Sequence, residues 1–408
     1  MSHLNRKNKK FDLIVWGSTG YTGKLVCEYI QKKYKNTNLK WAIAGRNELK
    51  IKSIISLLNL KDIPYFIADS NNKDSLLEMT KMTKTICSIV GPYAKYGTLL
   101  VEACIESKTN YCDITGETQW IREIIDKYHT KAIKNKVKIV HACGFDSVPS
   151  DLGVFYAQNK MKESTGKYAS KIIMRVISMK GGVSGGTIHS FLNILEESRK
   201  NKSITKILSN PHGLSPNVDL FETEEEDLKK IIFDSTCKRW ISPFIMAAIN
   251  TRVVRRSNYL LAFKYGRVFI YNEALVLGRS ILSKFLGYFR LIPIYLISKV
   301  KNLVLKSFLR LVLPKPGKGP TENSRKSGFF KLRFYVFDKK LKAIVSVYGV
   351  GCPGYGSTSK MLAESSICLA KDKLPIQNGV LTPSTGLGNA FLNRLQKNAD
   401  LKFKIKFL

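Results

Sequence analysis

Three glycines near the start of the chain have the spacing of a phosphate-binding turn. Gly17, Gly20 and Gly23 read G-x-x-G-x-x-G, directly after the apolar run 11–16 and before a helical pattern that ends at Tyr34. A pyrophosphate needs backbone N–H groups within reach, so side chains must be absent where the chain approaches it, and the helix N-terminus adds partial positive charge. The loop therefore predicts dinucleotide binding. The other predicted cofactor-binding positions of this loop are Ser18, Thr19, Tyr21 and Thr22.

The end of the second apolar run indicates which dinucleotide is preferred. A site for NAD places an acidic residue there to hold the ribose hydroxyls. This chain instead reads Ala44-Gly45-Arg46-Asn47, with no acid before Glu48. A guanidinium suits a 2′-phosphate, which a carboxylate would repel. Arg46 therefore favours NADP(H), and the alternative is that Arg46 only caps or solvates the following helix.

Polar residues that could carry a proton follow two later apolar runs and a glycine-rich turn. Gly91 and Pro92 come after the fourth run, where the reactive half of a cofactor is expected, and Tyr93 follows them. Asp146 comes after the sixth run, and His189 lies near the start of a helical pattern. We therefore predict that Gly91 and Pro92 contact the cofactor and that Tyr93, Asp146 or His189 supplies the proton. The alternatives are a proline-initiated helix start at Pro92 and a structural role for His189.

A β-sheet would be needed to position these residues, and the first 150 residues contain apolar runs that predict its strands. Six apolar runs predict strands over 11–16, 41–45, 63–69, 85–90, 110–114 and 137–144. Helical patterns separate them, at 48–59, 73–80, 94–107 and 119–134 after the first helix. Runs without alternation indicate strands that are covered on both faces, so the sequence predicts a doubly wound parallel sheet of the α/β class.

The later chain gives a weaker pattern. It predicts a strand at 171–180, a strand pair at 329–338 and 342–349, a helix at 357–371 and a short helix at 391–398.

Several motifs together resemble one family, the saccharopine dehydrogenase-like oxidoreductases, which include the trans-acting enoyl reductases of mycobacterial lipid synthesis. The motifs are WGSTGYTG (16–23), AGRN (44–47), VGPYAKYG (90–97), YCDITGE (111–117), HACGFDSVPSDLG (141–153), PKPGKGPTENSRKSGFF (314–330) and GVGCPGYGSTSKMLAESSICLA (349–370). The resemblance implies a Rossmann domain at 1–152 and a second α+β domain on a mixed sheet at 153–348. That second domain would bind substrate or form a homodimer, and segment 349–408 would return to the first domain.

The charge of the chain is strongly positive. Lys and Arg number 67 against 31 Asp and Glu, a formal net charge of +36. Such a chain attracts anionic partners, although a general compositional bias is the alternative. No aromatic-studded basic motif or zinc spacing is present, so we expect neither nucleic-acid binding nor a metal site. The eight cysteines contain no C-x-x-C pair, and the N-terminus has no apolar signal core, which together favour the cytosolic side.

Segment 274–321 contains no acidic residue after Glu273. Lys299, Lys306 and Arg310 would share one face of a helix whose other face is apolar, which is typical of a helix lying on a membrane or lipid-droplet surface. The alternative is an amphipathic helix packed on the second domain. The longest uncharged stretch, 291–298, is too short to span a bilayer.

Together these features predict an NADP(H)-dependent oxidoreductase that reduces a C=C or C=N bond in a lipid-related substrate, peripherally attached to a membrane or lipid droplet. The alternative is a membrane-associated nucleotide-binding scaffold with little or no catalysis.

Overall fold

The structure is a computed structural model that describes residues 8–181, 194, 196–199, 201–216, 226–289 and 319–408. The strands are β1 (Phe11–Trp16), β2 (Trp41–Gly45), β3 (Tyr65–Ile67), β4 (Thr83–Ser88), β5 (Asn110–Asp113), β6 (Lys138–Val140), β7 (Lys171–Lys180), β8 (Ile232–Asp234), β9 (Arg239–Ser242), β10 (Ile270–Gly278), β11 (Phe329–Asp338), β12 (Lys340–Val350), β13 (Gly379–Leu381) and β14 (Leu401–Phe407). The α-helices are α1 (Tyr21–Tyr34), α2 (Glu48–Leu57), α3 (Lys73–Lys81), α4 (Tyr93–Tyr96), α5 (Thr98–Glu106), α6 (Thr118–Lys134), α7 (Val148–Thr165), α8 (Lys202–Ser209), α9 (Ala247–Leu260), α10 (Glu322–Lys326), α11 (Thr358–Lys371) and α12 (Pro383–Asn398). A π-helical turn, Pro353–Ser357, precedes α11, and residues 281–289 are helical.

The chain forms two compact units. The first comprises Met1–Val148 and Pro353–Leu401, and the second comprises Pro149–Cys352 and Lys402–Leu408.

The first unit is built on a seven-stranded parallel sheet in the order β13-β6-β5-β4-β1-β2-β3. Every residue of β1 is buried, as expected for a central strand that helices cover on both faces. The predicted doubly wound Rossmann fold is confirmed. The chain reverses its direction of winding between β1 and β4, which is where such folds bind ligands.

The second unit contains a mixed sheet in the order β14-β12-β11-β7-β10-β9-β8. Strands β7 and β10 pair in parallel, whereas β11 pairs antiparallel with both β7 and β12. The predicted strand at 171–180 and the predicted strand pair are confirmed, as is the α+β class of this part of the chain. Among the described residues, no helix combines the length and apolar character needed to cross a bilayer.

Several predicted elements of the first unit have different bounds in the structure, and two of the differences have a clear structural reason. The predicted helix 94–107 is broken at Gly97 into α4 and α5, and a side chain at Gly97 would lie 2.5 Å from the ring of Trp120. The predicted strand 137–144 ends at Val140, because Ala142 has φ of +58° and the chain has left the extended conformation.

The C-terminal segment was predicted least well. The predicted short helix 391–398 is the second part of α12, which is kinked at Gly388, where φ is +56°. The first part begins at Pro383, because Thr382 caps it by accepting a hydrogen bond from the N–H of Thr385. The sequence pattern did not predict β13, which pairs in parallel with β6, or the terminal strand β14.

Candidate functional site

A cleft of about 260 Å³ opens at the carboxyl ends of β1, β2, β3 and β4. Loops after these strands supply its walls, and the cleft lies at the reversal point of the sheet. Its lining residues are Trp16, Gly17, Thr19, Gly45, Arg46, Ser70, Val90, Gly91 and Tyr96. None of them is acidic, so the cleft is suited to an anionic ligand.

The three glycines of the first loop have different structural roles. Gly17 has φ of +89°, and a Cβ there would lie 2.7 Å from the side chain of Val90. A Cβ on Gly23 would lie 2.1 Å from the carbonyl oxygen of Gly17, so this position holds α1 tightly against the loop. A Cβ on Gly20 would meet only an ordinary contact at 3.4 Å, and Gly20 is exposed. Gly17 and Gly23 therefore shape the loop, whereas Gly20 leaves its surface bare for a ligand.

The N-terminus of α1 is suited to binding an anion. Gly20 occupies the cap position without a side-chain hydrogen bond, and the first turn contains no acidic residue. The positive end of the helix dipole is therefore not neutralised by the helix's own side chains. A pyrophosphate is the kind of group that such a helix start binds.

The four other predicted residues of this loop do not share one role. Ser18 is buried, and its hydroxyl donates to the carbonyl oxygen of Ala44 at 3.1 Å, so it ties the loop to β2. Thr19 lines the cleft. The ring of Tyr21 packs edge-on against Tyr355 at 4.8 Å, and Thr22 is half-buried in the first turn of α1. Of these four described residues, the structure places Thr19 in the cleft wall.

Arg46 lies at the rim of the cleft and is exposed. The cap of α2 is the neighbouring Asn47, whose Oδ1 accepts from the N–H of Lys50 at 2.9 Å. Arg46 therefore does not cap this helix. Within the part of the chain that the structure describes, no carboxylate pairs with the guanidinium, which leaves it available to an anion.

Gly91 lines the cleft, while Pro92 caps the short helix α4. A proton donor would present its hydroxyl to the cleft, but the hydroxyl of Tyr93 is hydrogen-bonded to the backbone of neighbouring strands and loops. Its hydroxyl donates to the carbonyl oxygen of Ser88 at 3.1 Å and accepts from the N–H of Ile114 at 3.4 Å. Burial raises the pKa of Tyr93 well above its usual range. Contrary to the expectation from sequence, Tyr93 is a core residue, and Gly91 is the member of this segment that reaches the cleft.

Asp146 has the properties of a proton donor. It lies in the loop after β6, on the carboxyl edge of the sheet, and is half-buried. Desolvation by burial raises the pKa of Asp146 to about 7. Its Oδ2 would lie 3.8 Å from a Cβ built on Gly116, in the loop after β5. No hydrogen bond or ion pair from another described residue holds this carboxyl, so it can serve a ligand. His189, the third candidate, lies outside the described residues.

A buried acid and histidine behind this edge were not predicted. Asp113, the last residue of β5, and His141, the first after β6, are joined by a contact of 2.8 Å between Oδ2 and Nδ1. The signal available in the sequence was their position, since both stand where a strand ends. They anchor the two loops that contain Gly116 and Asp146.

The described residues fit a bound dinucleotide. The indole Nε1 of Trp16 is buried and has no hydrogen-bond partner among the described residues, and Trp16 is one of the residues that line the cleft. Ser70 lines the same cleft, and no hydrogen bond within the described chain uses its hydroxyl. Trp16 ends β1 and Ser70 comes shortly after β3, so their position at the carboxyl ends of strands could have identified both. Among the described residues, no cluster of three His, Cys, Asp or Glu side chains could hold a metal ion.

The first unit has a Rossmann fold with a cleft at the reversal point of its sheet, where such folds bind ligands. Residues 13–140 match the family model described as the saccharopine dehydrogenase NADP binding domain. A Mycobacterium tuberculosis protein provisionally named a trans-acting enoyl reductase is 35% identical over 403 residues, covering 95% of this chain and 96% of the relative. The trans-acting enoyl reductase of Mycobacterium ulcerans is 31% identical over 408 residues, covering 96% and 97%.

The chain therefore belongs to the saccharopine dehydrogenase-like oxidoreductase family, and its first unit contains an NADP-binding domain. Among solved structures, the apo form of saccharopine dehydrogenase (L-Glu forming) from Saccharomyces cerevisiae covers 97% of this chain and 99% of its own, with a TM-score of 0.53 and 11% identity. That likeness shows a shared fold. The family resemblance predicted from the sequence motifs is confirmed.

Proposed function

We propose that this protein is an NADPH-dependent reductase that saturates a C=C or C=N bond in a lipid-related substrate. The observation that carries the proposal is the Asp146 carboxyl, which burial keeps protonated up to a pH of about 7 at the edge of the sheet that holds the cofactor cleft. The names of the mycobacterial relatives support an activated C=C bond as the first substrate class to test.

Reduction of such a bond requires one hydride and one proton. The coenzyme supplies the hydride when bound. The Asp146 carboxyl would give its proton to the carbon next to the activating carbonyl, or to the nitrogen of an imine, and then take up another proton from solvent. Its raised pKa matches this task, because a general acid works best with a pKa near the working pH. Arg46 and the bare surface at Gly20 would bind and orient the coenzyme.

The proposal is tested by comparing wild-type protein with Asp146→Asn in NADPH oxidation, using a 2-enoyl thioester and an imine as substrates. We expect kcat to fall by about 10²- to 10⁴-fold while the affinity for NADPH stays the same. The rate of the wild type should also decline above pH 7, as the acid loses its proton. Asp62→Asn, at an exposed position of the same unit, is the matched control.

An undiminished rate in Asp146→Asn would exclude Asp146 as the proton donor. Tight binding of NADPH without turnover of either substrate class by the wild type would favour the alternative of a nucleotide-binding scaffold.

The second unit has a surface that supports a membrane or lipid-droplet setting. In the helical segment 281–289, six large apolar side chains are exposed: Ile281, Leu282, Phe285, Leu286, Tyr288 and Phe289. Gly287 is buried, and a Cβ there would lie 2.4 Å from Leu277, so the glycine side of the segment packs against its own unit. Exposed apolar side chains beside Arg279 and Lys284 suit an anionic lipid surface, and we propose peripheral attachment at the cytosolic face.

Sedimentation with vesicles tests this setting. The double variant Phe285→Ser/Phe289→Ser should lose most of its binding to phosphatidylserine-containing vesicles, since it removes two large apolar side chains from the exposed face. The control is Ile376→Ser, which removes an apolar side chain that is 96% exposed on the other unit. Equal sedimentation of the two variants would contradict the assignment of this face.

A further inference from the structure

Ser70 has a buried side chain in the cofactor cleft, and the proposed function gives it no role so far. It is 8% exposed, lines the cleft with Arg46, and makes no hydrogen bond to another described residue. We propose that Ser70 and Arg46 together hold the 2′-phosphate of the coenzyme, and that Ser70 helps to select NADP(H) over NAD(H). This inference rests on the proposed function, which requires NADPH as the reductant.

The chain places these two residues side by side. The N–H of Ala68, just after β3, donates to the carbonyl oxygen of Gly45 at 3.2 Å, so the segments that leave β2 and β3 run next to each other. Arg46 directly follows Gly45, and Ser70 comes two residues after Ala68. Both residues therefore reach the same part of the cleft from neighbouring strands.

The loop that carries Ser70 is held in place by its own hydrogen bonds. The N–H of Asn72 donates to the carbonyl oxygen of Asp69 at 3.0 Å, and the N–H of Asp69 donates to the hydroxyl of Ser75 at 3.1 Å. Asn72 also caps α3 by accepting from the N–H of Ser75. A hydroxyl in such a loop is already ordered, so little conformational freedom is lost when it binds a ligand.

The chemistry of the cleft favours a phosphate over a ribose diol. A diol is usually held by a carboxylate that accepts from both hydroxyls. No acidic residue lines this cleft, and Asp69 accepts from the N–H of Asn71 at 2.9 Å. Arg46 and Ser70 instead offer a guanidinium and a hydroxyl, which are donors for phosphate oxygens. A buried hydroxyl without a partner also gains more from a ligand than an exposed one would.

Calorimetry with two adenosine monophosphates tests the proposal without any turnover. Adenosine 2′-monophosphate probes the phosphate position, and adenosine 5′-monophosphate probes the rest of the same subsite. For Ser70→Ala we expect the affinity for the 2′-phosphate to fall about 10-fold, while the affinity for the 5′-phosphate changes less than about twofold. Arg46→Ala should weaken the 2′-phosphate about 10- to 100-fold. The matched controls are Ser53→Ala and Lys50→Ala, both at exposed positions of α2.

Two further measurements keep the result interpretable. Ser70→Asp should reject adenosine 2′-monophosphate but still bind the 5′ isomer, because the added carboxylate repels the 2′-phosphate. A thermal melt of each variant establishes that it is folded. Equal weakening of both nucleotides in Ser70→Ala would mean that Ser70 contacts the adenosine, and unchanged affinities would mean that it makes no contact. Either result overturns the role proposed for Ser70. If the wild type still binds NADPH, the proposed function is not affected by that result. A wild type that binds neither NADPH nor adenosine 2′-monophosphate would overturn both.

Discussion

Nδ1 of His141 lies 2.8 Å from Oδ2 of Asp113, and both side chains are buried. The same carboxylate accepts from the hydroxyl of Tyr111 at 2.9 Å. Its other oxygen accepts from the N–H of Thr115 at 3.1 Å and from the N–H of Ala142 at 3.2 Å. One carboxylate thus ties together the two loops that follow β5 and β6.

Replacing Asp113 should therefore cost much more stability than removing one of its partners. In Asp113→Ala, several buried donors lose their acceptor, at about 1–3 kcal/mol each. We expect the free energy of unfolding to fall by at least about 3 kcal/mol in urea titrations. Tyr111→Phe removes one donor and keeps the carboxylate, so a loss of about 1–2 kcal/mol is expected. Similar small losses in both variants would contradict the role of Asp113 as the shared anchor.

The Rossmann part of the fold could be predicted because its signals are local. Fully buried strands such as β1 give unbroken apolar runs, and the glycines that follow mark the first turn. The strand β13 has three residues, and it is defined by its pairing with β6, more than 200 positions away along the chain. No local pattern carries that information. The terminal strand β14 was missed although it alternates between lysine and apolar residues.

The candidate site was predictable to the extent that it depends on backbone shape and on residues next to strand ends. Four of the residues that the sequence predicts to bind the cofactor line the cleft: Gly17, Thr19, Arg46 and Gly91. The direction in which a side chain points was not predictable. Tyr93 follows a strand end, as a cleft residue would, but its hydroxyl turns into the core. Ser70 directly follows the predicted strand 63–69, so its place at the sheet edge could have been predicted, but its position beside Arg46 depends on the pairing of β3 with β2.

Because the loop glycines have different roles, substitutions at Gly23 and Gly20 should have different effects. Gly23→Ala should lower the free energy of unfolding by about 1–3 kcal/mol, because its methyl group would overlap the carbonyl oxygen of Gly17. Gly20→Asp should keep a normal melting temperature and lose NADPH binding, because the position has space but a carboxylate there repels the pyrophosphate. Thermal melts and a fluorescence titration with NADPH measure both effects. Undiminished affinity in Gly20→Asp would reject the loop as the pyrophosphate site.

A second buried carboxylate attaches the C-terminal segment to α1. Glu364 is fully buried and accepts from the hydroxyl of Tyr29 at 2.7 Å, from the hydroxyl of Tyr34 at 2.5 Å and from Nη1 of Arg394 at 3.1 Å. Arg394→Met should cost about 3 kcal/mol or more, because it leaves a buried charge without its cation. The double variant Arg394→Met/Glu364→Gln should recover part of that loss in urea titrations. No recovery would show that the charge of Glu364 is not the source of the cost.

The raised pKa of Asp146 also predicts how stability depends on pH. Its carboxyl has a pKa of about 7 in the folded protein, against about 3.9 in an unfolded chain. Between these values the folded state keeps a proton that the unfolded state has released, so the folded state binds more protons. The free energy of unfolding contributed by this group therefore falls as the pH rises from about 4 to about 7, and stays constant above pH 7.

Asp146→Asn removes this dependence, because an amide does not ionise. A shift of about three pKa units corresponds to about 4 kcal/mol, which partial exposure of the carboxyl to solvent reduces to about 1–2 kcal/mol. We therefore expect the variant to be more stable than the wild type by about 1–2 kcal/mol at pH 8 and to match it near pH 4. Urea titrations at the two pH values measure the difference, and Asp62→Asn, at an exposed position, should show none. A difference between wild type and Asp146→Asn that does not change with pH would mean that Asp146 titrates normally, and it would then be ionised and unable to donate a proton at neutral pH.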